Sequence, residues 1–195
     1  AMAWRMDLLH QADALEKALP DLDSSMKALA EKWTVMEAFD FIGAGPDYAA
    51  AWFGQAKVYE ATGRYAMCIN TEEWLHMNFF MRNVDRIGTV LVAAGDSPAM
   101  SRAMEAAGHA VRDMGRPTLI VTNEGSPLAA LDCSVATLPV PTWTYSNLLT
   151  QFAPICLLMG YLGEFLREED GRGCKGPWSF AAGGAGITQS EIIVK

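Results

Sequence analysis

The chain has 195 residues, which is enough for one domain with a substantial hydrophobic core. Hydrophobic residues make up 51% of it and charged residues 19%, a balance typical of globular and not of disordered proteins. The formal net charge of −8 argues against nucleic acid and anionic membranes as main partners.

The predicted secondary structure alternates helices and strands. Two helices come first, over residues 4–18 and 22–33, because apolar residues recur at helical spacing and Pro20 interrupts the pattern. A strand in "AFDFIGAGP" then leads into a glycine turn, and Pro46 opens the next helix. Further strands are predicted in "RYAMCIN", "IGTVLVAAG", "RPTLIVTN" and "CSVATLPV", with helices near 97–114 and 144–168. This alternation predicts an α/β fold, a five-stranded parallel sheet covered by helices on both faces in three α/β/α layers.

Composition divides the chain into three parts. Residues 1–34 form an N-terminal helical segment, and residues 35–168 form the α/β domain. Residues 169–195 combine a glycine-rich linker with "ITQSEIIVK", which is predicted as a short terminal strand.

The polar segments that follow the predicted strands are candidates for a ligand site, because ligands bind outside the carboxyl ends of parallel strands. These segments are Gly43–Asp47, Thr71–His76, Gly95–Ser97 and Asn123–Ser126. The turn "FIGAGP" either cradles a phosphate or only lets the helix pack close to the sheet. It lacks the last glycine of the dinucleotide fingerprint, so we expect no nicotinamide cofactor.

Two charged pairs also stand out. Lys57 and Glu60 lie one turn apart on a predicted helix, where a solvated surface pair is the simplest interpretation. Glu73 and His76 lie on one face of the next helix, but a zinc site needs a third ligand. The other histidines, His10 and His109, fall in helices away from the strand ends, so we expect no metal and no other cofactor.

The segment "GPDYAAAWFGQAKVYEATGRYAMCINTEEWLH" resembles the sugar isomerase (SIS) domain family. It is similar to the second SIS domain of the isomerase half of glucosamine-6-phosphate synthase. It is more similar still to the C-terminal SIS domain of fructosamine-6-phosphate deglycases. The family pattern is a glycine-proline turn, a Lys-x-x-Glu pair and a Glu-x-x-His motif. The histidine of this motif lies sixteen residues after the glutamate of the Lys-x-x-Glu pair. The likeness covers about residues 35–165.

The resemblance implies a role for each motif residue. Glu60 would move a proton between C1 and C2 of an open-chain sugar, and His76 would open the sugar ring. Lys57 would hold Glu60 and the sugar oxygens, and Glu73 would orient His76. The apolar part of "TEEWLH" is expected to line a closed sugar pocket. The implied substrate-binding residues are Gly45, Lys57, Glu73 and Ser190.

The implied function is phosphosugar processing, with deglycation of a fructosamine 6-phosphate as the leading reaction. The alternatives are an aldose–ketose phosphosugar isomerase and a non-catalytic phosphosugar-binding module. In the family the phosphate is gripped mostly by the first of two SIS domains, whereas this chain resembles the second, so the complementary domain is missing from this chain. The resemblance therefore implies a partner domain and a homo-oligomer, at least a dimer, with His76 near the subunit boundary. Gln189, which precedes Ser190 where the synthase has lysine, counts against glucosamine-6-phosphate synthesis.

A cytoplasmic location is expected from three features. No segment combines the features of a secretory signal. The apolar run "NLLTQFAPICLLMGYLGEFL" contains Gln151, Pro154 and Glu164, so it predicts a buried helix and not a membrane span. The four cysteines form no paired motif and favour a reducing compartment: Cys68, Cys133, Cys156 and Cys174.

Overall fold

The computed structural model of the chain describes residues 2–169, apart from the side chains of Phe79 and Thr144. The helices are α1 Met2–Trp33, α2 Asp47–Thr62, α3 Thr71–Met77, α4 Met100–Gly108 and α5 Asn147–Phe165. The strands are β1 Ala38–Gly43, β2 Tyr65–Asn70, β3 Ile87–Val92, β4 Thr118–Asn123 and β5 Ser134–Leu138. The predicted linker and terminal strand beyond residue 169, including Cys174 and Ser190, lie outside the described residues.

The five strands form one parallel sheet in the order β2-β1-β3-β4-β5. β3 and β4 are buried along their whole length, which explains why these strands read as continuous apolar runs. The predicted five-stranded parallel sheet, with helices on both sides, is therefore confirmed. β2 and β5 are the two edge strands, and Gly43 ends the inner strand β1.

Two hydrophobic clusters cover the two faces of the sheet. Along β1, Phe39 and Phe41 face a cluster formed with α1, α2 and α5, whereas Ile42 faces a cluster formed with α3 and α4. This alternation follows the two-residue period of a strand. We call the side of the sheet covered by α1, α2 and α5 the α2 face, and the side covered by α3 and α4 the α3 face. Each face carries half of the predicted site.

Helix α1 corrects the prediction of two N-terminal helices. It runs without interruption from Met2 to Trp33 and contains Pro20 within it. A proline inside a helix costs about 3 kcal/mol, because it removes a backbone hydrogen bond and crowds the preceding turn. Beyond Pro20, the helix buries Leu22, Met26 and Trp33 in the α2-face cluster. Packing of that face therefore outweighs the local preference of Pro20.

Helix α5 is the described helix that is long and apolar enough to cross a membrane, judged by length and composition alone. It packs against α1 and α2 across the α2 face. Its first turns bury polar side chains, including Asn147 and Gln151, each about 1% exposed. These contacts make α5 a core helix of the domain, in agreement with the buried helix predicted there.

A buried ion pair lies beneath α3. Arg116 donates to Asp40 through Nη1 at 2.6 Å and to Asn78 through Nη2 at 2.6 Å. The indole nitrogen of Trp74 also donates to Asp40, and the Arg116 guanidinium lies 5.2 Å from the Trp74 ring centre. Both charged side chains are almost fully buried. The cluster ties α3 to β1 and to the start of β4.

We expect Arg116→Met to lower the free energy of unfolding by about 3–5 kcal/mol, because it leaves the Asp40 carboxylate buried without its partner. Denaturant unfolding measures the change, and Arg82→Met, at an exposed arginine, is the matched control. The double variant Asp40→Leu/Arg116→Met should recover much of the loss, since no charge then remains buried. A single-variant effect within about 0.5 kcal/mol would contradict the importance of the pair.

Candidate functional site

The four predicted polar segments all follow carboxyl ends of strands and lie along one edge of the sheet. The loops after β3 and β4 enclose a cavity of about 310 Å³ at this edge, which Val140 and Pro141 close on one side. Its polar lining includes Asp96, Asn123 and Glu124. This part of the site prediction, a group of loops at the carboxyl edge, agrees with the structure.

The glycine turn after β1 is built for close packing. A side chain at Gly43 would come within 2.8 Å of the Asp47 carbonyl oxygen, and Gly45 has a left-handed φ of +56°. The N–H groups of Asp47 and Tyr48 donate to carbonyls of the turn, at Ala44 and Gly45. Of the two interpretations left open, these bonds favour the packing turn over the phosphate cradle. Gly45 itself is exposed at the edge.

A buried polar network braces the same edge. Asp47 accepts a 2.7 Å hydrogen bond from Gln151, and burial raises the pKa of the Asp47 carboxyl. Asn123 accepts from the Gly95 N–H at 2.8 Å and donates to Asn147 at 2.8 Å. The network joins the ends of β3 and β4 to α2 and α5, so these loops have little freedom to rearrange.

Lys57 and Glu60 form an ion pair on the outer side of α2. The Glu60 side chain is 62% exposed and that of Lys57 30% exposed, and the Lys57 ammonium lies 5.0 Å from the Phe53 ring centre. Glu60 lies in the last turn of α2, about 20 Å along the helix axis from the carboxyl edge of the sheet. The pair is therefore on the α2 face, away from the loops of the carboxyl edge.

Helix α3 carries the other predicted residues. Asn70 caps it by accepting from the Glu72 N–H, and Glu72 and Glu73 occupy its first turn, where acidic groups suit the helix dipole. Trp74 and Leu75 are buried in the α3-face cluster. The expectation that the apolar residues of this segment line a sugar pocket is thus corrected, because they form core. His76 is 73% exposed.

Within the part of the chain that the structure describes, His76 pairs with Glu72, at 3.1 Å between Nε2 and Oε1. Glu73, which was expected to orient His76, lies three residues before it and is exposed. Both Glu72 and Glu73 share a side of the helix with His76, but the hydrogen bond is with Glu72. Arg102 from α4 grips Glu72 with two bonds, from Nε at 2.5 Å and from Nη2 at 2.7 Å. Its guanidinium holds the pKa of the Glu72 carboxyl below its usual value.

The two halves of the predicted catalytic set lie on opposite faces of the sheet. α2 places Lys57 and Glu60 on one side, and α3 places His76 on the other, with the edge strand β2 between the two helices. Within one chain they do not form a single site. Any chemistry that uses Glu60 together with His76 therefore needs a second copy of the chain.

Sequence reasoning missed Glu72 and Arg102. The spacing of Glu72 and His76, four residues apart on a helix, was a local signal that could have found the first contact. Arg102 lies 30 residues from Glu72 on another helix, and no local pattern points to it. Among the residues that the structure describes, no three His, Cys, Asp or Glu side chains are grouped so as to hold a metal ion.

Comparisons with known proteins bear on the fold. No family model and no curated protein sequence matches the chain. Solved structures do match. The C-terminal domain of glucosamine-fructose-6-phosphate aminotransferase from Francisella tularensis aligns at a TM-score of 0.71 with 15% identity, covering 83% of this chain and 44% of that chain. This chain thus spans less than half of that structure.

Two further solved structures have the same architecture. The sugar isomerase domain of an RpiR transcription factor from Sphaerobacter thermophilus aligns at a TM-score of 0.66 with 16% identity, covering 86% of this chain and 90% of that one. The Vibrio vulnificus NanR protein, solved in complex with ManNAc-6P, aligns at 0.59 with 18% identity, covering 81% and 61%. The fold of this chain is that of the sugar isomerase (SIS) domains found in phosphosugar isomerases.

Proposed function

We propose that this chain is a phosphosugar-processing SIS protein that deglycates a fructosamine 6-phosphate. The observation that carries the proposal is the Lys57–Glu60 pair on α2. A carboxylate beside an ammonium suits proton transfer next to a carbonyl or iminium, which needs one positioned base. Solved proteins of the same fold include a glucosamine-fructose-6-phosphate aminotransferase and the NanR protein in complex with ManNAc-6P, which supports a phosphosugar as the ligand.

The site is completed by a second copy of the chain. Edge strand β2 separates α2 from α3, so a copy that packs along this edge reaches both faces. A two-fold dimer would bring His76 of one copy to Glu60 of the other, and its symmetry would form two such sites per dimer. Exposed apolar side chains flank the edge on both helices and favour such a contact, among them Trp52 at 63% exposure and Met77 at 50%.

The reaction has three steps in this scheme. Glu60 removes a proton from C1 of the open-chain ketoamine, and the C2 oxygen gains a proton as the enaminol forms. Glu60 then returns a proton to C2 while the nitrogen loses its N–H proton, so that C2 carries a hydroxyl and the double bond moves to the C1–N position. Water then adds to the C1 imine and the amine leaves, giving an aldose 6-phosphate. Lys57 holds Glu60 and the sugar oxygens. Gly45 and Glu73 contact the substrate from the copy that supplies His76, because Glu60 of their own chain lies about 20 Å along α2 from the carboxyl edge. Ser190 also contacts the substrate. The phosphate grip comes from a complementary SIS domain.

Two other functions share this fold. A simple aldose–ketose isomerase would use the same proton transfer between C1 and C2 but release no amine. A non-catalytic phosphosugar sensor is supported by the likeness to an RpiR transcription factor and to the NanR protein, which was solved with ManNAc-6P. The net charge of −8 makes nucleic acid an unfavourable partner for this chain by itself. We place the protein in the cytoplasm, where phosphosugars are metabolised.

Incubation with a fructosamine 6-phosphate, in the presence of the complementary SIS domain, should release free amine and an aldose 6-phosphate in equal amounts. Amine detection and NMR of the sugar products measure both. Fructose 6-phosphate is the matched substrate control. Its conversion without conversion of the fructosamine would establish the isomerase. Saturable binding of both sugars without any product would establish the sensor and contradict the proposal.

A further inference from the structure

Glu72 joins α3 to α4 through both of its carboxylate oxygens. Oε1 contacts His76 Nε2 at 3.1 Å and accepts from Arg102 Nη2 at 2.7 Å, while Oε2 accepts from Arg102 Nε at 2.5 Å. Arg102 also pairs with Glu105 on its own helix. The arrangement is a line of three groups, Arg102, Glu72 and His76, that ends on the imidazole.

The direction of the hydrogen bond to His76 follows from the chemistry of Glu72. The two hydrogen bonds from the Arg102 guanidinium, which we call the arginine fork, lower the pKa of the Glu72 carboxyl. Glu72 is therefore ionised near neutral pH and can only accept hydrogen bonds. His76 Nε2 must therefore carry the proton in this contact. In a neutral imidazole only one ring nitrogen is protonated, which leaves Nδ1 with a free lone pair.

The fork makes this contact more than an ordinary surface pair. Isolated exposed ion pairs contribute little, because two long side chains must be ordered against solvent. Here the planar guanidinium binds both carboxylate oxygens, which fixes the plane as well as the position of the carboxylate. Arg102 comes from a separate helix and is only 38% exposed, so α4 limits the movement of Glu72 from outside α3.

We propose that Glu72, held by Arg102, positions His76 with its proton on Nε2, so that Nδ1 is the nitrogen that exchanges protons with the sugar. Glu72 and Arg102 are positioning residues in this assignment, and neither touches the substrate. The inference rests on the proposed function for the role of His76. The hydrogen-bond geometry that it describes belongs to this chain whatever the sugar is.

The ring-opening step can be written with this assignment. Nδ1 accepts the proton of the anomeric hydroxyl, and the electron pair of that O–H bond forms the carbonyl. The bond from the anomeric carbon to the ring oxygen breaks, and the proton held on Nδ1 passes to the ring oxygen. Between the two transfers the imidazole is a cation, which the Glu72 carboxylate beside Nε2 stabilises.

Imidazole ¹⁵N NMR of the histidine-labelled chain tests the positioning without any turnover. The chain has three histidines, and His76→Gln assigns the signal of His76. At a pH where the imidazole is neutral, we expect a protonated Nε2 with an observable N–H and an unprotonated Nδ1. Glu72→Ala should abolish the N–H signal through exchange with water and average the two tautomers. Glu105→Gln removes the other carboxylate on Arg102 and should leave the His76 signals unchanged.

Kinetics test the consequence. Glu72→Gln should lower kcat roughly 10- to 100-fold with little change in KM, by analogy with the loss on removing the carboxylate that orients a metal-bound imidazole. Arg102→Lys keeps the charge but cannot bind both carboxylate oxygens of Glu72 as the guanidinium does. Its kcat should therefore be lowered like that of Arg102→Met, and not equal that of the wild type.

An unchanged Nε2–H signal in Glu72→Ala, or full activity in Arg102→Lys, would overturn the assignment. Absence of turnover in the wild type, together with the expected NMR changes, would overturn the proposed function and leave the positioning of His76 standing.

Discussion

Replacement of Glu60 by glutamine should reduce turnover by about 10²–10⁴ while sugar phosphate binding is largely retained, because one positioned acid/base contributes that much. Glutamine keeps the size and the polar contacts of the side chain but cannot accept the C1 proton. Steady-state turnover of the assembled protein gives the rate, and calorimetric titration with a sugar phosphate gives the affinity.

Glu16→Gln is the matched control for this variant, because it removes one carboxylate from an exposed position on α1, outside the proposed site. It should turn over at the wild-type rate. Equal turnover of Glu60→Gln and wild type would show that another group moves the proton. Loss of binding together with loss of rate would instead give Glu60 a role in holding the sugar.

The second large effect is recovery of activity on mixing two inactive variants. If each site combines Glu60 of one copy with His76 of the other, Glu60→Gln and His76→Gln should each be nearly inactive alone. After subunit exchange, half of the dimers are mixed, and each mixed dimer has one intact site. Activity should then return to about a quarter of the wild-type value.

The same-face pair Lys57→Met and Glu60→Gln provides the control for this experiment. These residues contact each other within one chain, so no mixed dimer regains an intact pair and no activity should return. Sedimentation at micromolar concentration first establishes that a dimer is present. A monomer that turns over, or exchanged dimers without recovered activity, would exclude a site shared between copies.

The sequence by itself was sufficient for the sheet. Continuous apolar runs such as "IGTVLV" and "TLIVTN" are buried on both sides, and several such runs alternating with helices are typical of a parallel sheet covered by two helical layers. The glycine turn could also be predicted from the sequence. A side chain has no room at Gly43, and Gly45 has a left-handed φ that favours glycine. These features depend on neighbours a few residues away.

The tertiary structure decided what depends on distant parts of the chain. Pro20 predicts a break, yet α1 continues because the residues beyond it bury their side chains against the domain. Trp74 and Leu75 were predicted in a pocket, but the Asp40–Arg116 pair and the α3-face cluster hold them in the core.

The separation of the proposed catalytic residues is the clearest case. Glu60 and His76 are sixteen residues apart in sequence, and this spacing is the one on which the resemblance to SIS domains was based. The strand between them, β2, is an edge strand, and its two flanking helices pack on opposite faces. Motif spacing carries the residue types needed for the chemistry. Glu60 and His76 of one chain stay apart because α2 and α3 pack on opposite faces of the sheet. The face on which each helix packs depends on contacts with the whole sheet, which local spacing does not contain.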